Sequence, residues 1–167
     1  MRLATIASIL IALPLAAHAA EPTVERVDVL ETGTFTTETG EAMVDPNAPG
    51  GETVPVTKAT LIEAGTTVAA TLGTDFGFRY VVVGAPHGET VALDFVVTAP
   101  EPGLADPEAA EPIRTVRFTR DKTIGVPDYL GYYLEAPWEA LPGSWHFEIW
   151  QADRKLAERT FTLTAPE

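Results

Sequence analysis

The chain has 167 residues, 46% of them hydrophobic, with 24 acidic and 11 basic side chains, a formal net charge of -13, and no cysteine. The acidic balance argues against a nucleic-acid binder, which would carry a basic surface, and against electrostatic docking to an anionic membrane. The lack of cysteine excludes disulfides, thiolate zinc sites, iron–sulfur clusters and cysteine nucleophiles.

Residues 1–20 are predicted to be a secretory signal peptide. Arg2 supplies a positive charge, the apolar run LATIASILIALPLAA follows, and Ala17-His18-Ala19 forms an A-x-A cleavage pattern. A membrane anchor is the alternative, but this run is shorter than the about 20 residues of a spanning helix, and it contains Pro14. Cleavage would leave one domain, residues 21–167, with no integral membrane segment, in the periplasm or outside the cell.

Short segments of alternating apolar and polar residues recur along the mature chain between prolines and glycines, which is typical of an all-β sandwich or barrel. Threonine and valine are abundant and lysine is scarce, a composition that favours strands. The alternation predicts nine strands, near 24–37, 54–63, 67–72, 76–84, 89–98, 113–121, 128–135, 144–151 and 156–164.

Two long acidic loops are predicted near 38–52 and 99–112, because their prolines would interrupt the hydrogen bonds of a strand ladder. Loops of this length are often functional or mobile. The favoured interpretation is that they are solvated and aid solubility.

Residues 76–98 are predicted to form a hairpin around a four-residue connection at 85–88. Pairing Gly84 with Glu89 aligns four apolar pairs on one face, and the other face sets Arg79 opposite Asp94. The apolar pairs are Phe76 with Val97, Phe78 with Phe95, Tyr80 with Leu93, and Val82 with Val91.

The last two strands are predicted to form a second hairpin. Strand parity buries Trp145 and Phe147 and turns Trp150 outward. A three-residue loop at 153–155 would set Phe147 opposite Phe161, and a β-bulge is the alternative way to align the apolar faces. In the preceding strand, Tyr129 and Tyr133 should share one face.

Two stretches, LGTDFGFRYVVVGAPHG at 72–88 and LPGSWHFEIWQADRKLAERTFTL at 141–163, resemble an uncharacterised group of exported bacterial proteins. This is the domain-of-unknown-function family numbered 3859, and the resemblance spans about residues 24–164. The second stretch is also similar to the last two strands of many immunoglobulin-like domains. The resemblance implies no activity. We expect one immunoglobulin-like antiparallel β-sandwich of about seven to nine strands.

Sequence patterns for catalysis and metal binding are missing. The mature chain has one serine, Ser144, outside any G-x-S-x-G elbow, and its histidines, His87 and His146, are widely separated. We therefore expect no metal, no cofactor and no catalytic residue. Glycoside hydrolysis by two carboxylates stays open, because 24 acids will place some pair at a suitable distance by chance.

The candidate ligand-binding residues are His146, Glu148 and Trp150, which share the outward face of the strand at 144–151. A tryptophan flanked by these groups would suit stacking on a sugar or on a partner's side chain. The favoured alternative is that Leu156, a loop or the sheet edge covers Trp150.

We interpret the chain as an exported non-enzymatic binding or accessory module for an unknown protein or carbohydrate partner, by analogy with other β-sandwiches. The alternatives are a carboxylate-dependent hydrolase of an envelope carbohydrate and a sugar-binding module. Acids with raised pKa values in a deep pocket would indicate an enzyme, and coplanar exposed rings a sugar binder. An open edge strand or an apolar patch would indicate a protein-binding module.

Overall fold

The computed structural model describes residues 21–44, 52–107 and 109–166. The predicted signal peptide, residues 1–20, lies outside these ranges. The described residues form strands, turns and loops. None of them belongs to a helix long and apolar enough to cross a membrane.

Eleven strands are formed by the described residues, and nine of them correspond to the nine predicted strands. The other two, β2 and β3, pair into a short ribbon that overlaps the segment predicted as a loop at 38–52, so that prediction is corrected. In chain order the strands are β1 (Thr23–Thr39), β2 (Met43–Val44), β3 (Glu52–Thr53), β4 (Val56–Ala64), β5 (Thr67–Ala69), β6 (Asp75–Ala85), β7 (Thr90–Thr98), β8 (Thr115–Thr123), β9 (Pro127–Tyr133), β10 (Gly143–Gln151) and β11 (Arg154–Thr164).

The nine longer strands form two sheets. Sheet A has the order β4-β1-β6-β9, and sheet B has the order β5-β11-β10-β7-β8. All pairs are antiparallel except β5 with β11. The predicted β-sandwich is therefore confirmed, and β8 and β9, which follow each other in the chain, are edge strands of different sheets.

The core lies between the inner faces of the sheets and is centred on aromatic rings. Phe76 of sheet A meets Trp145, Phe147 and Phe161 of sheet B edge-on, with ring centroids 5.4 to 5.6 Å apart. All four side chains are fully buried. Truncating such a residue to alanine typically costs about 3–5 kcal/mol, so this cluster is a principal source of stability.

The predicted hairpin of residues 76–98 is wrong in its pairing. β6 pairs with β1 and β9, whereas β7 pairs with β10 and β8. The chain crosses from one sheet to the other, so the two apolar faces oppose each other across the core. Arg79 therefore meets Glu31, with Nη1 2.6 Å from Oε2, and Asp94 meets Arg117. Alternation identifies the buried face of a strand and leaves its neighbours undetermined.

The C-terminal hairpin forms, but with a different register. Trp145 lies opposite Phe161, and Phe147 lies opposite Arg159. A tight turn at Ala152, whose φ is 51°, and a bulge after Ile149 replace the predicted three-residue loop. The bulge restores the match between apolar faces that a two-residue turn alone would lose.

The segment 99–112 stays irregular in its described part, apart from one bridge between Leu104 and Ile113. Leu104 is buried in the core cluster and anchors the loop there. The loop is therefore packed against the sandwich at this point.

Candidate functional site

A groove with a volume of about 1090 Å³ follows the neighbouring edges of the two sheets. We call it the β8–β9 groove. Its lining includes residues 118–122 of β8, residues 128–131 and Tyr133 of β9, residues 54–56 beside the β2–β3 ribbon, and Asp75. The groove therefore reaches from the rim of the sandwich to the outer face of sheet A, the face turned away from sheet B.

A buried carboxylate lies at this groove. Asp75 is 7% exposed and accepts hydrogen bonds from the hydroxyls of Thr37 and Tyr129, each at 2.7 Å. These three residues, the Asp75 cluster, connect β1, β6 and β9 on the outer face of sheet A. Desolvation raises the pKa of Asp75, although the two hydroxyl donors lower it in part.

Two glycines make room for the Asp75 cluster. Gly77 lies opposite Gly131 in the β6–β9 ladder, and the Tyr129 ring crosses them to reach Asp75. A Cβ at Gly131 would be 2.0 Å from the Tyr129 Oη, and a Cβ at Gly77 would be 2.8 Å from the same oxygen. Phe35 packs against the Tyr129 ring, with centroids 4.9 Å apart. The spacings Asp75-x-Gly77 and Tyr129-x-Gly131 therefore build the cluster.

The β8 wall of the groove combines aromatic and basic side chains. Phe118 stacks on Phe95, with centroids 5.5 Å apart, and the Arg120 guanidinium lies 4.9 Å from the Phe118 ring centroid. Lys122 Nζ is 2.6 Å from an oxygen of Asp128. Lys122 is thus held by an acid of the adjacent edge strand.

The groove has an excess of acids over bases and an apolar rim. Four acids and two bases are among its described lining residues: Asp75, Asp121, Asp128 and Glu135 against Arg120 and Lys122. Met43, Val54 and Tyr133 are 53%, 50% and 53% exposed. The surface therefore suits a ligand that is partly apolar and partly cationic.

The predicted residues His146, Glu148 and Trp150 lie together on the outer face of sheet B. Trp150 is half-buried, and its Nε1 donates to Glu148 Oε2 at 2.9 Å. Lys155 Nζ lies 2.7 Å from Glu148 Oε1 and 5.3 Å from the Trp150 ring centroid. His146 is exposed, with Nδ1 3.0 Å from Thr160 Oγ1. The three share a face as expected, and their role in binding stays a prediction.

The charge of Glu148 is balanced by its neighbours. Desolvation acts to raise the pKa of Glu148, but the hydrogen bonds from Lys155 and Trp150 and the charges of Lys155 and His146 lower it overall. Glu148, the principal acid of this surface, therefore already has its hydrogen-bonding and charge partners within the protein.

Asp75 and its partner Thr37 were not identified from the sequence, and for Tyr129 the sequence predicted only a face shared with Tyr133. The available signal was the pair of glycines inside strands, since an internal strand glycine often marks a close approach of another group. Gly77 and Gly131 are such positions, and each is two residues from a member of the cluster.

Comparisons with known proteins agree with the fold. Residues 24–163 match the family described as Domain of unknown function (DUF3859). An immunoglobulin-like protein from Pseudomonas aeruginosa, known from its crystal structure, is similar with a TM-score of 0.58 and 24% sequence identity. The match covers 87% of this chain and 98% of that chain, which supports the immunoglobulin-like fold. No protein with a curated description matches the sequence.

Proposed function

The chain belongs to the DUF3859 family, whose description names no activity, and we propose that it is an exported, non-enzymatic module that binds a partner protein. The proposal places an extended segment of that partner in the β8–β9 groove. The charged residue, apolar run and A-x-A pattern of residues 1–20 support export to the periplasm or the exterior. Intact-mass analysis of the exported protein should find residues 1–19 or 1–20 removed.

The observation that carries the proposal is the position of β9. In the described sheets this strand has one neighbour, β6, and its other edge borders the groove. An edge strand presents unpaired backbone N–H and C=O groups, which an added strand of a partner satisfies. Tyr133 and Val54 beside that edge are about half exposed and would gain burial on binding.

A sugar-binding role has less support. Sugar recognition by stacking would use exposed and roughly coplanar aromatic rings, whereas Tyr133 is the one aromatic side chain among the described residues that is more than half exposed. Phe118 and Tyr129 are half-buried, the first against Phe95 and the second against Phe35. Protein recognition along the strand edge is therefore the better-supported form of binding.

Hydrolysis of an envelope carbohydrate is the second candidate, because Asp75 is an acid with a raised pKa at a groove. The assay is turnover of peptidoglycan and common polysaccharides by the wild type and Asp75→Asn, with and without a chelator. We expect no turnover. Turnover that Asp75→Asn abolishes in a folded protein would make the chain an enzyme.

Photo-crosslinking in the native organism tests the binding site. A photoreactive phenylalanine analogue replaces Tyr133 at the groove or, as the matched control, His146 on the outer face of sheet B. We expect a discrete crosslinked protein from position 133 and none from position 146. Crosslinks from position 146 alone, or from neither position, would overturn the proposed site.

A further inference from the structure

We infer that the β8–β9 groove selects extended segments that carry a lysine or arginine, and that Asp75 is the carboxylate that receives the cation. This inference rests on the proposed function and adds the chemistry of the bound segment. It begins with the acceptor capacity of Asp75. An ionised carboxylate offers about four lone-pair positions, and the hydroxyls of Thr37 and Tyr129 use two of them.

Asp75 also borders two cavities. It contributes to the lining of the β8–β9 groove and of a second cavity of about 300 Å³ that includes Phe35 and Thr34. A carboxylate that is 7% exposed and borders two cavities is placed to meet a group that enters from outside.

Asp75 has no basic partner among the described residues. Both described hydrogen bonds to Asp75 come from neutral hydroxyls, and no ion pair to it is formed among the described residues. Elsewhere on the sheets, carboxylates are paired with bases: Glu31 with Arg79, Asp94 with Arg117, Asp128 with Lys122, and Glu148 with Lys155.

Burying a carboxylate without a cation is unfavourable. A neutral asparagine at position 75 would accept from Tyr129 and donate to Thr37 without the desolvation of a charge. The carboxylate is therefore a poor choice for stability and a good one for a ligand that supplies the missing positive charge.

A lysine of a segment bound at the edge of β9 could reach Asp75. Asp75 lies opposite Tyr133 in the β6–β9 ladder, so a segment added to the free edge of β9 would run two strand spacings, about 9.6 Å, from the Asp75 backbone. Alternate side chains of that segment would lie on the outer face of sheet A. A lysine side chain extends about 6 Å along its four-carbon stem, and the Asp75 side chain shortens the remaining gap.

The charge of the groove agrees with this assignment. Its described lining has four acids and two bases, and Lys122 is already held by Asp128. This excess of negative charge would repel an acidic segment, whereas a basic segment would be attracted and would neutralise part of the excess. Met43, Val54 and Tyr133 would contact the apolar side chains of the same segment.

The test uses three fluorescent eight-residue peptides of alternating valine and threonine, which differ at one central position: lysine, glutamine or glutamate. Each is titrated against the mature wild-type protein, Asp75→Asn and the matched control Asp94→Asn. We expect the lysine peptide to bind the wild type about tenfold more tightly than the glutamine peptide, with the glutamate peptide weakest. Asp75→Asn should remove this preference, whereas Asp94→Asn should keep it.

Equal binding of the three peptides to the wild type would overturn the inference and leave the proposed strand-edge site standing. A lysine preference that persists in Asp75→Asn would also overturn it. Failure of all three peptides to bind would count against the proposed function as well. The wild-type comparison decides the charge preference even if Asp75→Asn does not fold.

Discussion

Asp75 and Asp94 each accept two short hydrogen bonds on the outer faces of the two sheets, yet their pKa values shift in opposite directions. Desolvation raises the pKa of Asp75, whose donors are both neutral hydroxyls. Hydrogen bonds from Arg117 and Thr119 lower the pKa of Asp94, which is more accessible to solvent. Cations and solvent, more than the number of hydrogen bonds, decide how readily each carboxylate keeps its charge.

The two outer faces differ in the same way. Sheet B pairs Asp94 with Arg117 and Glu148 with Lys155. Sheet A buries Asp75 beneath Tyr129 and supplies no base among the described contacts. On sheet B these two acids have basic partners, whereas Asp75 on sheet A holds a negative charge that a ligand can neutralise.

The largest expected effect on stability comes from adding a side chain at Gly77, one of the two glycines that make room for the Asp75 cluster. Gly77→Ala would place a Cβ 2.2 Å from the backbone oxygen of Leu130 and 2.5 Å from the Gly131 Cα. Since backbone atoms cannot rotate away, we expect the free energy of unfolding to fall by about 3 kcal/mol in urea denaturation. Gly40→Ala is the control, because its nearest contacts are 3.2 and 3.4 Å to side chains. Similar stabilities for the two variants would contradict the close packing at Gly77.

Removing the hydroxyl of Tyr129 should lower the free energy of unfolding by less than Gly77→Ala does. Tyr129→Phe leaves Asp75 buried with one donor, and a hydrogen bond to a charged group contributes about 1.5–3 kcal/mol. The matched change on sheet B is Thr119→Ala beside Asp94, where solvent replaces the lost donor and we expect a change of about 0.5 kcal/mol or less. Denaturant midpoints measure the stability of both variants. Equal losses of stability would show that the two aspartates do not differ in how much they depend on a hydroxyl donor.

The pH dependence of stability should have opposite signs for the two aspartates. The folded-state pKa of Asp75 is raised, so its contribution is present at low pH and is lost as pH rises through that value. The folded-state pKa of Asp94 is lowered, so its contribution is present above the unfolded value and is lost as pH falls through the folded one.

Asp75→Asn should therefore gain stability relative to the wild type as pH rises above 3.8, the ordinary pKa of an aspartate. Asp94→Asn should lose stability relative to the wild type as pH rises towards 3.8 from below. Unfolding free energies measured across the acidic range check both slopes. The same sign for both variants would show that desolvation does not dominate at Asp75.

The smallest effect on stability is expected from a substitution at Tyr80, on the inner face of sheet A. Its hydroxyl is buried and has no hydrogen-bond partner among the described residues. Tyr80→Phe removes an unsatisfied polar atom, so we expect unchanged or slightly higher stability, within about 0.5 kcal/mol. A thermal melt measures this, and a loss as large as that of Tyr129→Phe would reveal a partner for Tyr80.

Much of the fold was predictable because alternation reports burial directly. Trp145 and Phe147 are buried, and Trp150 lies on the opposite face, as strand parity required. The partners of β6 and β7 were not predictable in this way. An apolar face can oppose another across a hairpin or across a sandwich, and the same alternating residues satisfy both.

The candidate site was less predictable than the fold. Asp75 begins a strand and has the pattern of an ordinary solvated charge. Its burial depends on Tyr129, which is 54 positions away and reaches it across Gly77 and Gly131. Such a contact requires the β6–β9 register, which the periodicity of either strand alone does not specify.

Amide hydrogen exchange with and without the saturating lysine peptide tests most directly whether the β8–β9 groove is the binding site. We expect slower exchange along β9, residues Pro127–Tyr133, as the added strand pairs with its edge. We expect no change along Gly143–Gln151 of β10, which includes His146, Glu148 and Trp150. Protection gained in β10 while β9 is unchanged would show that the peptide does not bind in the β8–β9 groove.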